Sequence, residues 1–138
     1  GLRHELLLRD VDRSHESDLA ILRDLVDTLE TEYKGQKKGI FLSNDTLASA
    51  LVNLLFLKYG RLPDDYRIVG FDNSPESREA IIPISTVGQQ VEQLAQEAVA
   101  LVVDQINARK EGQSLHGRKP IHKVIDPVLI RRASTGDL

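Results

Sequence analysis

The sequence predicts an α/β domain with a mostly parallel sheet and helices on both faces. Short apolar runs, which are typical of buried strands, alternate with longer segments whose apolar residues recur every three or four positions, as in amphipathic helices. Glycines and prolines stand between these segments and mark turns. The resulting order (strand, helix, strand, helix, strand, extended segment, helix, strand) favours parallel strands joined by crossover helices.

The composition of the chain excludes several classes of protein. Its 138 residues, 41% hydrophobic and 28% charged, are enough for one domain with a buried core. No apolar run approaches the roughly 20 residues that span a bilayer, and we see no secretory or transit signal. There are no cysteines for disulfides or thiolate chemistry, and the net charge of −3 argues against a surface that holds a phosphate backbone. We expect the first residues to lie within a longer protein.

A first strand and a first helix are predicted near the beginning of the chain. Residues 6–8 are apolar and are followed by a polar, charged segment. Ser14 or Ser17 would cap the next helix, and Gly35 would end it. The apolar positions at helical spacing in this helix are Leu19, Leu22, Leu25, Val26 and Leu29.

The second strand is predicted at residues 39–42, and a helix follows it. Asn44 or Asp45 is a suitable cap, and the helix is expected to run to about Tyr59, where Gly60 favours a stop. Apolar residues surround most of the circumference of this helix. Such a helix is either deeply buried or packs on a partner chain.

The third strand is predicted at residues 66–71, after a turn at residues 63–65. Pro75 favours a single helical turn at its first position. Residues 83–87 are expected to be extended, and Gly88 to end this segment.

A long helix at residues 89–109 and a final strand at residues 123–132 complete the prediction. Pro127 lacks an amide proton, so the final strand either lies at an edge of the sheet or begins again at the proline. The basic residues near it, including Arg131 and Arg132, are interpreted as a solvated strand edge, because no aromatic residues are interspersed among them.

Polar residues at the ends of two strands are the first candidates for a functional site. Ligands of open α/β sheets bind beyond the carboxyl ends of the strands, where Asp72 and Asn44 are expected. The alternative for Asp72 is an Asx turn toward Ser74, and the alternative for Asn44 is a plain N-cap. Asp45 is expected to cap the helix or face its dipole.

Five motifs, in this order and at this spacing, resemble the effector-binding core of the lactose/galactose repressor (LacI/GalR) family of bacterial transcription regulators. The resemblance covers roughly residues 38–135. The motifs are FLSNDTLA at 41–48, LPDD at 62–65, IVGFDN at 68–73, PISTVGQ at 83–89 and LIRRAST at 129–135.

This resemblance implies the C-terminal part of a type I periplasmic-binding-protein-like domain with two lobes. Residues 1–84 would form the C-terminal lobe, 85–88 a crossover and 89–112 a helix of the N-terminal lobe. Residues 121–132 would be the final strand. The DNA-binding domain would be absent from this chain. It would be a helix-turn-helix head, or a GntR-type head as in arabinose-type repressors.

The resemblance also implies ligand-binding roles for particular residues. Asp72 and Asn44 match polar positions that contact the effector in the family. Gln89 matches a position that contacts the ligand or stabilises the crossover; the alternative is a solvated helix start. Arg13 or Ser14 would line the pocket, with a solvated loop as the alternative. Relatives often carry an aromatic residue near that last position, and this sequence has none there.

The predicted function is the ligand-sensing domain of a cytoplasmic transcription regulator, a repressor of carbohydrate metabolism. It would bind a sugar or sugar phosphate without a cofactor or metal, and it would reach DNA only through the absent domain. It would not contact a membrane, and it would form a homodimer through the helix at 45–59 and the segment at 74–82.

Two other functions compete with this prediction. A secreted sugar-binding receptor of a transporter shares the fold. An enzyme could use Asp45 and Asp72 as an acid/base pair. However, the histidines are scattered, and the sequence has neither a glycine-rich phosphate loop nor a nucleophile elbow.

Overall fold

A computed structural model describes residues 15–112 and 120–136 of the chain. It confirms the predicted α/β class with a mostly parallel sheet. The strand predicted at residues 6–8 lies outside the described residues. The elements are α1 (His15–Glu32), β1 (Lys38–Phe41), α2 (Asp45–Tyr59), β2 (Tyr66–Phe71), α3 (Pro75–Glu79), β3 (Ser85–Gly88), α4 (Val91–Lys110), β4 (Val128–Ile130) and a 3-10 turn (Ala133–Thr135).

The four described strands form one sheet in the order β1-β2-β3-β4. The first three are parallel, with Ile40 opposite Ile68 and Gly70 opposite Thr86. β4 is antiparallel to β3. Because parallel strands end on the same side, the carboxyl ends of β1, β2 and β3 share one edge of the sheet, called here the carboxyl edge.

The final strand is shorter than the sequence predicts. β4 begins directly after Pro127, and the preceding residues 120–127 have no regular structure. This agrees with the expectation that the strand begins again at the proline, which cannot donate to the ladder. The side-chain Nε2 of Gln90 donates to the carbonyl of Asp126 at 2.8 Å, so the segment before β4 is tied to the segment after β3.

Helix α2 supplies much of the core. It begins after Asn44 and ends at Gly60, whose positive φ of 70° suits a helix stop. Its inner side packs on β2 and contacts α1 and α3. The outer side is exposed and of mixed polarity: Leu57 is 83% accessible, and Thr46, Asn53 and Lys58 are exposed as well. The fully buried core residues of α2 are Ala48, Leu51, Val52 and Leu55.

A partly buried ion pair lies at the other end of the sheet, where β1 and β2 begin. The ammonium of Lys38 is 2.6 Å from the carboxylate of Asp65, and this bond lowers the pKa of Asp65. The Tyr66 hydroxyl donates to Glu30 on α1 at 2.6 Å and thereby lowers the pKa of Glu30. Burial raises the pKa of Tyr66. The bond between Tyr66 and Glu30 fixes α1 against the sheet.

Helix α4 differs from the other long helices because it contains no buried residue. It begins two residues later than predicted, since Gln90 has a positive φ of 53° and cannot continue a helix. Its apolar stripe is exposed, with Val91 64% and Val99 62% accessible. None of the described helices combines the length and the apolar character needed to cross a membrane.

Gly70 allows the close approach of α2 to β2. A Cβ at this position would lie 2.3 Å from the Oδ1 of Asp45 and 3.2 Å from the Cβ of Ala48. Real Cβ atoms essentially never lie within 3.0 Å of another heavy atom of this kind, so the contact with Asp45 could not be accommodated without a shift. Helix α2 can therefore reach its observed position only because residue 70 has no side chain.

We expect Gly70→Ala to lower the free energy of unfolding by about 1–3 kcal/mol, the usual cost of overpacking. Gly39→Ala is the matched control, because nothing lies within 4 Å of a Cβ at residue 39. That variant should change the free energy by less than about 0.5 kcal/mol. Urea denaturation of both variants measures the difference, and equal effects would contradict the proposed steric constraint.

Candidate functional site

The carboxyl edge brings together three of the residues predicted for the site. Asn44 follows β1, Asp72 follows β2, and Gln89 follows β3. The side chain of Gln89 donates from Nε2 to the Oδ1 of Asp72 at 2.8 Å. Asp72 is exposed, while Asn44 and Gln89 are half-buried. The edge therefore presents one carboxylate and two amides to the space beyond the strands.

The loop after β2, residues 72–74, has an unusual backbone. Asp72 has a φ of 103° and Asn73 a φ of 55°, in the region that most side chains avoid. Its amides are satisfied by neighbouring elements. The amide of Asp72 donates to the carbonyl of Val87 at 2.9 Å, and the amide of Asn73 donates to the Oγ1 of Thr86 at 3.2 Å.

Asp45 takes the third amide of this loop. Its Oδ2 accepts from the backbone N of Ser74 at 2.8 Å, and its side chain is almost completely buried. The Asx turn considered for Asp72 would need this same amide, so the carboxylate of Asp72 is left to Gln89 and to solvent. Asp45 also lies in the first turn of α2, where a negative charge is favoured. The sequence predicted that position but not the contact with Ser74, which is 29 residues away.

Asn44 forms the N-cap that was its predicted alternative role. Its Oδ1 accepts from the backbone N of Leu47 at 2.8 Å. An amide side chain also has two N–H donors, and the cap uses neither of them. The cap therefore holds the side chain at the carboxyl edge and leaves its donors available for another bond.

Phe41 is a further candidate for the site, which the sequence analysis did not select. It is the last residue of β1, and its side chain is 63% exposed. Its ring meets that of Phe71 edge to face, with centroids 6.4 Å apart. The sequence does contain a feature that could have indicated this residue: an aromatic side chain at the end of a predicted strand, shortly before polar residues. The aromatic face that the sequence lacks near Arg13 is thus present on a different strand.

Arg13 and Ser14, the other two predicted site residues, lie outside the described residues. In the described part of the chain, no group of three acidic or histidine side chains is arranged to hold a metal ion. The carboxylate of Asp45 is buried and engaged by a backbone amide, which does not suit it to act with Asp72 as an acid/base pair.

The exposed groups at the carboxyl edge are suited to a small polyhydroxylated molecule. The carboxylate of Asp72 can accept hydroxyl groups in charge-assisted hydrogen bonds. The amides of Asn44 and Gln89 can donate as well as accept. The ring of Phe41 offers an apolar face for the flat side of a sugar or a base.

Comparison with protein families gives one match over nearly the whole chain. Residues 1–135 match the family described as "Periplasmic binding protein-like domain". Among curated proteins, the transcriptional regulator CelR of Thermobifida fusca is 26% identical over 94% of this chain and 35% of its own length. The transcriptional regulator DegA of Bacillus subtilis is 32% identical over 72% of this chain and 28% of its own length. The chain thus spans about a third of these relatives.

Solved structures of regulators have the same fold. A CelR–cellobiose complex matches 89% of this chain and 34% of its own chain, with 26% identity and a TM-score of 0.66. A LacI family regulator from Enterococcus faecium, with bound ribose, matches 93% of this chain and 42% of its own, with 25% identity and a TM-score of 0.66.

We expect Asn44→Ala to lower the free energy of unfolding by about 1 kcal/mol, because it removes the N-cap of α2. Asn44→Ser keeps a capping oxygen but no amide and should remain within about 0.5 kcal/mol of the wild type. Urea denaturation separates the two variants. If both lost the same stability, the cap observed at Leu47 would not contribute.

Proposed function

The chain belongs to the periplasmic binding protein-like domain family, and on that premise we propose that it is part of the effector-binding domain of a LacI-type transcription regulator. The observation that supports this best is the exposed carboxylate of Asp72, which accepts a hydrogen bond from Gln89. Asn44 and the exposed ring of Phe41 lie at the same carboxyl edge. We propose a sugar or a sugar-like molecule as the effector, because its hydroxyl groups suit the carboxylate and amides and its apolar face suits the ring.

In the proposed arrangement, α4 belongs to a second lobe. Its apolar stripe is exposed in the described structure, as expected of a helix whose packing partner is supplied by other residues. Residues 85–88, proposed as the crossover, form strand β3, and the chain leaves the sheet directly after them. Because the chain spans about a third of its curated relatives, we propose that the rest of that lobe and a DNA-binding domain lie elsewhere in the full-length protein.

The proposed mechanism is a change in the population of two lobe arrangements. The effector would favour one arrangement by contacting residues of both lobes, and the DNA-binding domain would have different affinities for DNA in the two states. Such a protein acts in the cytoplasm. The curated relatives are transcription regulators, which favours this role over a secreted receptor or an enzyme.

We expect Asp72→Ala in the full-length protein to weaken sugar binding about 10- to 100-fold, since a charge-assisted hydrogen bond contributes about 1.5–3 kcal/mol. Binding of operator DNA without sugar should be unchanged. Calorimetric titration with cellobiose, sucrose, glucose and ribose measures the first effect, and a DNA mobility shift measures the second.

Asp64→Ala is the matched control for Asp72→Ala. The carboxylate of Asp64 is 87% exposed and precedes β2, at the end of the sheet opposite the carboxyl edge. This variant should bind the sugar as the wild type does. The proposal of a sugar effector fails if none of the four sugars binds the wild type. The assignment of Asp72 fails if the Asp72→Ala variant binds a sugar with the affinity of the wild type.

The outer surface of α2 together with residues 74–82 is proposed as a homodimer interface. Leu57 is 83% exposed on α2, and Ile81 is 56% exposed in the neighbouring segment. Helix α2 contacts α3, so the two regions form adjacent surfaces. Exposed aliphatic side chains on adjacent elements are typical of protein interfaces.

We expect Leu57→Glu to raise the dimer dissociation constant at least about tenfold, because a twofold interface would bury two unpaired charges. Val124→Glu is the control, as Val124 is 85% exposed and follows Lys123, which pairs with Glu97 on α4. Sedimentation velocity over a range of concentrations measures both. A Leu57→Glu variant that associates like the wild type would place the interface elsewhere.

A further inference from the structure

Arg132 departs from the solvated strand edge expected for it. Its side chain is half-buried, whereas the neighbouring Arg131 is exposed. The guanidinium donates from Nη1 to the carbonyl of Ile84 at 2.8 Å and to the Oγ of Ser77 at 3.2 Å. It also donates from Nη2 to the Oδ1 of Asn73 at 2.8 Å. One side chain thus joins the start of β3, helix α3 and the loop after β2.

The backbone of Arg132 is itself held in place, so its side chain starts from a fixed point. The amide of Arg132 donates to the Oγ of Ser85 at 2.7 Å, and its carbonyl accepts from the hydroxyl of Thr135 at 3.2 Å. Two residues later, the hydroxyl of Ser134 donates to the carbonyl of Ile68 at 2.6 Å and accepts from the amide of Ser85 at 2.8 Å. The segment after β4 is therefore hydrogen-bonded to both β2 and β3.

The contact with Asn73 bears directly on the geometry of Asp72. Both residues have a positive φ, a conformation that costs about 1–3 kcal/mol for each residue and persists only where the surroundings enforce it. The amide of Asn73 bonds to Thr86, and its side chain bonds to Arg132. Without the second bond, the side chain of Asn73 no longer restrains the backbone that aims the carboxylate of Asp72.

We propose that Arg132 is a positioning residue for the ligand site: its guanidinium, through Asn73, holds the loop after β2 in the left-handed conformation that directs Asp72 to the carboxyl edge. The ligand that the loop would bind rests on the proposed function, whereas the role of Arg132 in holding the loop does not. A planar guanidinium can make bonds in divergent directions at once, which a lysine ammonium on a flexible stem does not reproduce. Arg132 does not contact the ligand in this proposal.

Hydrogen exchange of the full-length protein, without any sugar, tests the positioning role. Arg132→Gln should reduce protection of the amides in residues 72–74 by about tenfold or more, while protection in β2 and α2 stays unchanged. Arg131→Gln, the control, should change neither. Unchanged loop protection in Arg132→Gln would overturn the proposal, and so would an equal loss throughout the sheet, which would indicate only a structural role.

Two variants of Asn73 keep the test decisive even if Arg132→Gln does not fold. Asn73→Ala removes the acceptor, together with the tolerance of Asn for a positive φ, and should cause the same local loss of protection. Asn73→Asp offers a charge-assisted acceptor and should preserve protection when Arg132 is present. If Asn73→Ala left the loop protected, the contact would not position it.

Sugar binding separates this inference from the proposed function. Cellobiose, sucrose, glucose and ribose are titrated into the wild type and the Arg132→Gln variant. Binding to the wild type with at least about tenfold weaker binding to the variant is the expected result. Equal binding to both would overturn the positioning role and leave the proposed function standing. If none of the sugars binds the wild type, the sugar proposal fails, and the exchange experiment still decides the role of Arg132.

Discussion

The arrangement of the site depends on the hydrogen bond between the carboxylate of Asp45 and the backbone amide of Ser74. The carboxylate is buried in the first turn of α2 and accepts the amide of Ser74, so one side chain joins the helix after β1 to the loop after β2. A buried carboxylate is costly unless it is hydrogen-bonded. Gly70 makes the contact possible, because any side chain at that position would displace the carboxylate. The position of the loop is thus set by packing as much as by hydrogen bonding.

The loop after β2 is held from three directions. Asp45 approaches it from α2, Thr86 from β3, and Arg132 from the segment after β4. These elements are far apart in sequence, and only the folded sheet brings them together. The two residues with positive φ are therefore a property of the whole fold, and a local turn sequence alone would not maintain them.

The sequence predicted the elements well where local chemistry determines them. Asn44 and Gly60 mark the ends of α2 because an N-cap and a left-handed stop depend on neighbouring residues only. The short apolar run from Tyr66 to Phe71, which follows a turn, marks β2 in the same way. Prediction failed where distant residues decide. The bond between Asp45 and Ser74, the burial of Arg132 and the exposure of Phe41 all depend on which strands become neighbours. The delayed start of α4 depends on the backbone of Gln90, which periodicity does not reveal.

The connection of α4 to the sheet has a mechanical consequence. The segment that contains α4 leaves the sheet after Gln89, whose side chain contacts Asp72, and rejoins it after Pro127. The side chain of Gln90 bonds to the carbonyl of Asp126 and so links the two ends of this segment. A torque applied to α4 would therefore act at the place where the carboxylate is held, with almost no intervening chain to absorb it. A rotation of α4 that moved Gln89 would also move the group that holds the carboxylate of Asp72.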